Sequence, residues 1–191
     1  GGVDAQVAVE EAARTVGDED RSSTVTQSLK VLVTGAFGNV GSHAVTHLFD
    51  QGHAVVALDV KSPHNEARET ELAGRYPLET SWTDLTDLDA VTQLMQRVQP
   101  DVVLHLAAII APTAYVIPDK AYAVNVTGTN NIIEAAKALS SPPRIVFTSS
   151  YSVHGPRNPY KELPPITSQT PVNPGDNYGA HKVWGERAVP S

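Results

Sequence analysis

The stretch Val31-Leu32-Val33-Thr34-Gly35-Ala36-Phe37-Gly38-Asn39-Val40-Gly41 contains a short apolar run followed by three regularly spaced glycines. It predicts a β-strand, a tight turn and the start of a helix. A diphosphate can bind at such a helix N-terminus, because free N–H groups and the helix dipole both favour negative charge. Gly35 would permit the sharp exit from the strand, Gly38 the close approach of phosphate oxygens, and Gly41 the tight packing of helix on sheet. The stretch indicates a dinucleotide site, although its G-x-x-G-x-x-G spacing departs from the commoner fingerprint and leaves a plain strand-to-helix turn as the alternative.

Alternating strand and helix patterns occupy most of the chain after this stretch. The predicted strands lie near residues 30–34, 54–59, 78–82, 101–106 and 144–148, and the predicted helices near residues 39–51, 65–72, 87–99 and 119–139, with a last helix from Tyr178. The fourth strand is almost continuously apolar, as a central parallel strand covered on both faces requires. This order predicts an α/β fold with a doubly wound parallel sheet, right-handed crossovers and strand order 3-2-1-4-5. The proline-rich residues 151–177 predict a long loop of the kind that is usually functional.

Composition divides the chain into a tail and a body. Residues 1–28 are polar and acidic, which predicts a disordered or weakly ordered tail, whereas residues 29–191 are predicted to form one domain. The formal net charge is −7, of which −4 falls in the tail, and the body contains no cluster of Lys or Arg. We therefore expect small-molecule partners and neither nucleic-acid nor membrane binding. The absence of cysteine fits a reducing compartment, and we expect a cytoplasmic protein.

Two acidic residues follow predicted strands, at positions where a dinucleotide could contact them. Asp59 lies 24 positions after Gly35, where a carboxylate would bind both hydroxyls of an adenosine ribose and repel the extra phosphate of NADP. It favours NAD, although the nearby Lys61 weakens this inference and a solvated acid at a strand end is the alternative. Asp84, followed by Leu85, could accept the adenine amino group or could instead be a helix cap.

The strongest catalytic pattern combines Tyr178-Gly179-Ala180-His181-Lys182 with Thr148-Ser149-Ser150 after the fifth strand. Tyr178 and Lys182 are four residues apart and share one helix face. A nearby ammonium favours phenolate, so we expect Lys182 to lower the pKa of Tyr178 and make it a better base. Ser150 could hydrogen-bond the same substrate oxygen and align it for proton transfer to Tyr178 while a hydride leaves the carbon.

These stretches together resemble the N-terminal, cofactor-binding part of the extended short-chain dehydrogenase/reductase family, the NAD-dependent sugar epimerases and dehydratases. The resemblance covers roughly residues 29–188 and implies a Rossmann fold. The matching stretches are Thr34–Gly41, Asp59, Asp84-Leu85, His105-Leu106-Ala107-Ala108, Asn125–Thr129, Thr148–Ser150 and Tyr178–Lys182. The family has further strands and most of its sugar-nucleotide contacts beyond the active-site helix, so we expect the substrate-binding part to be missing from this chain.

The resemblance also implies roles for individual residues and for partners. Tyr178 would be the acid/base, Ser150 its assistant and Lys182 a ligand of the nicotinamide ribose, while Asn125 would support the helix and the lysine through water. The residues expected to bind NAD, with NADP less favoured, are Gly35, Phe37, Gly38, Asn39, Val40, Gly41, Asp59, Asp84, Leu85, Ala107, Ala108, Asn125, Ser149, Tyr178 and Lys182. The implied reaction is hydride transfer at a secondary alcohol of a sugar or nucleotide-sugar. A homodimer is expected, and a non-catalytic NAD(P)-binding sensor or scaffold, or an inactive fragment, is the alternative.

Several histidines and tryptophans carry a structural interpretation instead. His43 and His47 have the spacing of zinc ligands, but the sequence offers no third ligand and we expect no metal site. His105, on a buried strand, is interpreted as a hydrogen-bonded core or cofactor-adjacent group, and Trp82 and Trp184 as packing residues. Two positions depart from the family pattern: His154 replaces a tyrosine, and His181 replaces a serine or alanine.

Overall fold

The computed structural model describes residues 27–158, 160–161 and 163–189. Almost all of the predicted acidic tail, residues 1–26, lies outside the described residues. The strands are β1 (Lys30–Thr34), β2 (Ala54–Asp59), β3 (Glu79–Trp82), β4 (Val102–His105) and β5 (Arg144–Phe147). The α-helices are α1 (Asn39–Asp50), α2 (Pro63–Ala73), α3 (Leu88–Val98), α4 (Thr113–Val116), α5 (Pro118–Tyr122), α6 (Gly128–Lys137) and α7 (Asn177–Ala188).

The five strands form one parallel sheet in the order β3-β2-β1-β4-β5. The predicted fold class and strand order are therefore confirmed. β1 lies in the middle of the sheet, with Thr34 level with Leu58 on β2 and His105 on β4. The carboxyl ends of the central strands consequently meet at the glycine turn, which is the edge of an open parallel sheet where ligands bind.

Hydrophobic side chains cover both faces of the sheet. Val31 and Val33 point to a core shared with α1 and α2, whereas Leu32 between them points to a core shared with α3 and α6. This alternation explains why the strands read as continuous apolar runs. Helix α3 buries Val91, Leu94, Met95 and Val98 as its apolar spacing predicts, but its first residue, Leu88, is 43% exposed. The helix starts there, capped by Asp87, before it reaches the core.

The segment predicted as one helix over 119–139 contains three helical parts. Helix α5 is followed by a π-helical turn (Ala123–Thr127) and then by α6. The wider turn has one residue more than an α-turn, so apolar spacing at a period of 3.6 does not reveal it. Asn125 lies within the turn, and Gly128 follows it at a point where an added Cβ would be 3.0 Å from the Cβ of Leu85.

The two long connections also contain short helical parts that the sequence analysis missed. Helix α4 interrupts the loop after β4, and a 3₁₀ turn (Tyr151–His154) opens the proline-rich loop. Helix α7 begins at Asn177, one residue before the predicted start, because the Asp176 carboxylate accepts a hydrogen bond from the Gly179 N–H at 2.7 Å. Among the described helices, none has the length and apolar character needed to cross a membrane.

Candidate active site

The glycine turn has the geometry that its sequence predicts. Gly35 has a positive φ of 66°, which favours glycine, and an added Cβ there would lie 2.8 Å from the Cα of Ala107. An added Cβ on Gly41 would lie 2.0 Å from the Gly35 carbonyl oxygen, so α1 packs directly on the turn as well as on the sheet. At Gly38 an added Cβ would lie 3.3 Å from the same oxygen and, its chain neighbours Phe37 and Asn39 apart, within 4 Å of no other described atom.

Helix α1 presents free backbone donors at its first turn. Its N-cap residue is Gly38, and within the described part of the chain no side chain caps the helix. The N–H groups of Asn39, Val40 and Gly41 precede the first intrahelical hydrogen bond, which Ser42 donates to the Gly38 carbonyl at 2.9 Å. All three residues line a cavity of about 800 Å³. The donors, the helix dipole and the glycine surface together fit a diphosphate.

Asp59, the last residue of β2, also lines this cavity and lies next to the glycine turn. One carboxylate oxygen accepts a hydrogen bond from the Phe37 N–H at 2.9 Å and the other from the Val60 N–H at 2.8 Å. Burial raises the pKa of the Asp59 carboxyl, and the two backbone hydrogen bonds and the nearby His64 oppose that rise. The carboxylate is therefore fixed in orientation, with unused lone pairs available for ribose hydroxyls.

Ten of the residues predicted to bind cofactor line this cavity beside the glycine turn: Gly35, Gly38, Asn39, Val40, Gly41, Asp59, Asp84, Leu85, Ala107 and Ala108. The Asp84 carboxylate accepts hydrogen bonds from the Thr86 N–H and hydroxyl at 2.9 and 2.8 Å. Since Asp87 is the cap of α3, the alternative of Asp84 as a helix cap is wrong. Asp84 instead stabilises the turn before the helix.

Five other predicted cofactor-binding residues do not line this cavity. The Phe37 ring is fully buried and packs on Trp82 with ring centroids 5.2 Å apart, so only its backbone faces the turn. Asn125 holds the loop after β4, accepting from the Ile109 N–H at 2.7 Å and donating to the Ile109 carbonyl at 2.9 Å. Ser149, Tyr178 and Lys182 belong to the neighbouring β5–α7 region. Their role in cofactor binding stays a prediction.

Lys182 is held at the carboxyl end of β5. Its ammonium donates to the Thr148 carbonyl at 2.7 Å and lies 4.8 Å from the centroid of the Phe147 ring. The distance to the centroid of the Tyr178 ring is 5.8 Å. Because Lys182 is buried, its pKa is lowered to about 8.

Tyr178 on α7 lies next to Ser150, which is in the turn after β5. Burial raises the pKa of the Tyr178 phenol, the Ser150 hydroxyl opposes this shift, and the charge of Asp176 adds to it. The structure thus differs from the expectation that Lys182 lowers this pKa, since burial is the largest cause of the shift and the ammonium is directed at the Thr148 carbonyl. Ser150 itself accepts from the Ser152 N–H at 3.2 Å and donates to the Ser152 hydroxyl at 3.1 Å.

Two glycines allow α7 to approach the strand and turn that carry these groups. An added Cβ on Gly179 would lie 2.6 Å from the Ser152 carbonyl oxygen, and one on Gly185 would lie 2.1 Å from the end of the Phe147 ring. Both positions are buried. The close approach brings Tyr178 and Lys182 next to Ser150 and Thr148.

Contacts that the sequence analysis missed connect α7 to its surroundings. The Ser149 hydroxyl donates a short hydrogen bond to the Glu186 carboxylate, and the Tyr115 hydroxyl donates to Asp176 at 2.9 Å. Lys120 and Val124 line the cavity from the segment after β4. These pairs are far apart in sequence, so no local pattern could have indicated them.

The histidines and tryptophans singled out from the sequence lie in varied surroundings. His105 is buried and hydrogen-bonded, as interpreted. Trp82 packs on Phe37, but Trp184 is about half exposed and donates to Asn130 at 3.2 Å. His181 is buried with its Nδ1 atom 3.3 Å from the Asn125 amide nitrogen, and His154 contacts the Pro171 carbonyl at 3.3 Å. Among the described residues no group of three or more metal-ligating side chains occurs.

Comparison with known protein families gives a match over residues 31–191 to the model of the NAD dependent epimerase/dehydratase family. The chain belongs to this family. The resemblance inferred from the glycine turn and the Tyr178–Lys182 pair is therefore confirmed. The expectation of NAD also agrees with the family, which is NAD dependent.

Members of the family include curated relatives of moderate sequence identity. The chain is 38% identical over 160 residues to a UDP-glucose 4-epimerase of Mycolicibacterium smegmatis, covering 83% of this chain and 49% of that protein. It is 34% identical over 165 residues to a UDP-glucose 4-epimerase of Bacillus subtilis, covering 84% of this chain and 47% of that protein. The chain spans about half the length of the curated relatives it matches.

Solved structures in the family share the fold over a similar range. The Thermus thermophilus UDP-glucose 4-epimerase complex with NAD matches with a TM-score of 0.70 at 26% identity, covering 83% of this chain and 49% of that one. The Bifidobacterium longum UDP-glucose 4-epimerase in complex with NAD⁺ and UDP also has a TM-score of 0.70, at 29% identity, covering 83% of this chain and 47% of that one.

Proposed function

We propose that the protein containing this chain is an NAD-dependent epimerase or dehydratase that transfers a hydride at a secondary alcohol of a sugar or nucleotide-sugar. The observation that carries the proposal is the proximity of Ser150, Tyr178 and Lys182 beside the parallel-sheet edge that holds the glycine turn. A scaffold that only binds a nucleotide has no need of this combination. The family match and the UDP-glucose 4-epimerase relatives give it further support.

The glycine turn and Asp59 would hold the dinucleotide. The N–H groups of Asn39, Val40 and Gly41 would bind the diphosphate, and the fixed Asp59 carboxylate would accept hydrogen bonds from the adenosine ribose hydroxyls. The same carboxylate would repel an additional phosphate, which favours NAD over NADP. When bound, NAD supplies an acceptor for the hydride.

Tyr178 would first lose its phenol proton to solvent, then take the proton from the reacting hydroxyl as the phenolate, and return it as the phenol when the hydride is transferred back. At neutral pH its pKa is too high for it to be a phenolate unaided, because burial raises it. Lys182, with a pKa of about 8, is mostly an ammonium at neutral pH and can stabilise the phenolate as the proton moves. The Ser150 hydroxyl would hold the substrate oxygen in line with the phenol.

We further propose a nucleotide-sugar as the substrate and a homodimer as the assembly. The curated relatives are UDP-glucose 4-epimerases, and the Bifidobacterium longum structure contains UDP. The chain aligns with about half the length of these relatives. A cytoplasmic location likewise stays a prediction, made from the absence of cysteine.

Replacement of Tyr178 by phenylalanine in the complete gene product tests the catalytic proposal. Tyr178→Phe removes the transferable proton but keeps the ring, so turnover on UDP-sugars should fall at least ~100-fold while the protein still binds NAD. Tyr76→Phe is the matched control, because the Tyr76 hydroxyl is exposed and bonds Asp50 away from the site. If Tyr178→Phe retains turnover, the assignment of Tyr178 as the acid/base is wrong. If the wild-type protein binds NAD but turns over none of the UDP-sugars or secondary alcohols offered, the alternative of a non-catalytic NAD(P)-binding sensor is favoured.

A further inference from the structure

A buried hydrogen-bond chain begins at Thr34, the last residue of β1 before the glycine turn. The Thr34 hydroxyl oxygen accepts from the backbone N–H groups of Leu106 and Ala107, each at 3.1 Å. It also lies 2.7 Å from the Nδ1 atom of His105 on the adjacent strand β4. Thr34 and His105 are 0% and 1% exposed, so water cannot replace these bonds.

The chain continues from His105 to helix α6. The Nε2 atom of His105 lies 2.9 Å from the Thr129 hydroxyl, which donates to the Asn125 carbonyl at 2.7 Å. Thr129 is 1% exposed and Asn125 is 4% exposed. Thr129 does not line the cavity beside the glycine turn.

Counting donors and acceptors gives every bond in the chain a direction. The Thr34 oxygen uses its two lone pairs for two backbone N–H groups, so its own hydrogen is left for Nδ1 of His105, which must accept. The Thr129 hydrogen is used by the Asn125 carbonyl, so the Thr129 oxygen must accept from Nε2–H of His105. Both ends therefore require the same neutral imidazole, protonated on Nε2 only. The low pKa of His105, which burial holds at about 3, is consistent with this state.

Asn125 connects the chain to the catalytic helix. Its side-chain amide makes two hydrogen bonds with the Ile109 backbone and approaches Nδ1 of His181, the residue before Lys182. The ring of Tyr122 packs edge-on against the His181 ring at 5.8 Å between centroids. One continuous series of contacts thus runs from the glycine turn to α7.

We propose that His105 is a positioning residue that couples the glycine turn to the catalytic helix, acting through Thr34 on one side and through Thr129 and Asn125 on the other. It cannot be a catalytic residue of the proposed reaction because both ring nitrogens are already paired inside the core. Its role is to fix the position of the Leu106 and Ala107 N–H groups relative to the π-helical turn. The Ala107 backbone, which packs on Gly35, is fixed with them.

Removal of one acceptor should change every hydrogen bond in the series from Thr129 through His105 to Thr34. Without the Thr129 hydroxyl, the buried Nε2–H would lack a partner, which favours transfer of the proton to Nδ1. An Nδ1–H would then face a Thr34 oxygen whose lone pairs are already occupied. The Thr34 contacts with Leu106 and Ala107 would weaken, although Thr129 itself is outside the cavity.

Thr129→Val tests this coupling because valine keeps the shape of threonine and removes the hydroxyl. Thr129→Ser keeps the hydroxyl and should restore the wild-type behaviour. Thr70→Val is the matched control: the Thr70 hydroxyl donates to the Glu66 carbonyl four residues earlier at 2.9 Å, just as Thr129 donates to Asn125, but it lies on the exposed surface of α2. The readouts are ¹⁵N NMR of the imidazole rings and NAD titration calorimetry on this 191-residue chain.

In the wild type and in Thr129→Ser and Thr70→Val, the His105 spectrum should show protonated Nε2 and unprotonated Nδ1. In Thr129→Val, this pattern and the His181 signals should change, and NAD affinity should fall at least about fivefold. A wild-type His105 protonated on Nδ1, or unchanged His181 signals and NAD affinity in a folded Thr129→Val, would overturn the inference. The NAD titration rests on the proposed function. If the wild type binds no NAD, that function fails, and the NMR measurement still decides the inference. The wild-type spectrum also decides it if Thr129→Val does not fold.

Discussion

Single side chains determine what chemistry this site can carry out, and burial has the largest influence on them. It raises the pKa of Tyr178 and lowers that of Lys182, so both groups move toward their neutral forms. The sequence could predict which residues share the site, because Tyr178 and Lys182 are one helical turn apart. It could not predict the direction of the Tyr178 shift, since that depends on the depth at which α7 lies against β5.

Lys182 should titrate within an accessible pH range. Its folded-state pKa of about 8 lies below the value of 10.5 for an unperturbed lysine, so the ammonium is lost as pH rises through 8. The ¹³Cε resonance of Lys182, assigned by its disappearance in Lys182→Met, should show a midpoint near pH 8. A midpoint above pH 10 would mean that the side chain is solvated and does not occupy the buried position beside Thr148.

The structural elements were predicted well where periodicity is strong and poorly where a connection bends. The five strands and the order of the sheet follow from alternating apolar segments and right-handed crossovers. The π-helical turn at Ala123–Thr127 was missed, because one extra residue in a turn leaves the surrounding helical pattern almost unchanged. It nevertheless brings Asn125 into contact with Ile109 and His181, so the missed feature lies next to the site.

The packing of α7 on the 3₁₀ turn gives a prediction about Gly179. An added Cβ would lie 2.6 Å from the Ser152 carbonyl, a backbone atom that cannot move without shifting the turn that starts after Ser150. Gly179→Ala should therefore lower the free energy of unfolding by about 1–3 kcal/mol in urea denaturation.

Gly74→Ala provides the control for this measurement. Gly74 ends α2, and an added Cβ would have only ordinary contacts, the nearest at 3.5 Å. Its effect should stay within about 0.5 kcal/mol. Equal effects of the two substitutions would show that α7 does not approach the turn as closely as described.

The molecule as a whole combines two hydrophobic cores, one on each face of the sheet, with a polar hydrogen-bond chain that runs from the end of β1 through β4 to α6. The cores were predictable from the strands, because consecutive residues point to opposite faces. The chain from Thr34 through His105 to Thr129 was not, because its members are 71 and 24 residues apart in sequence. Only the burial of a histidine on a central strand indicated that a hydrogen-bond partner was needed.

The buried His105 should make the protein sensitive to acid. The folded-state pKa of about 3 lies below the unperturbed 6.5, so the unfolded chain binds a proton that the folded chain does not. The resulting stability is fully present above pH 6.5 and is lost as the pH falls toward 3. Between pH 7 and pH 5 the loss from this group should be about 2 kcal/mol.

Urea denaturation of the wild type and His105→Gln at pH 7 and pH 5 measures this contribution. Because glutamine does not titrate, the free energy of unfolding of His105→Gln should fall by about 2 kcal/mol less between pH 7 and pH 5 than that of the wild type. His53 and His181, whose pKa values are also lowered by burial, contribute equally to both proteins. Parallel losses in the two proteins would mean that His105 is protonated in the folded state.

Binding of NAD at the glycine turn underlies the rest of the proposed chemistry, and titration calorimetry of NAD and NADP against this chain measures it directly. Wild type and the Gly74→Ala control should bind NAD at least about tenfold more tightly than NADP, because Asp59 repels the additional phosphate. Gly38→Ala, which places a methyl group where phosphate oxygens would approach the first turn of α1, should weaken NAD binding at least about tenfold. A wild-type chain that binds neither nucleotide, or a folded Gly38→Ala with unchanged NAD affinity, would contradict the account.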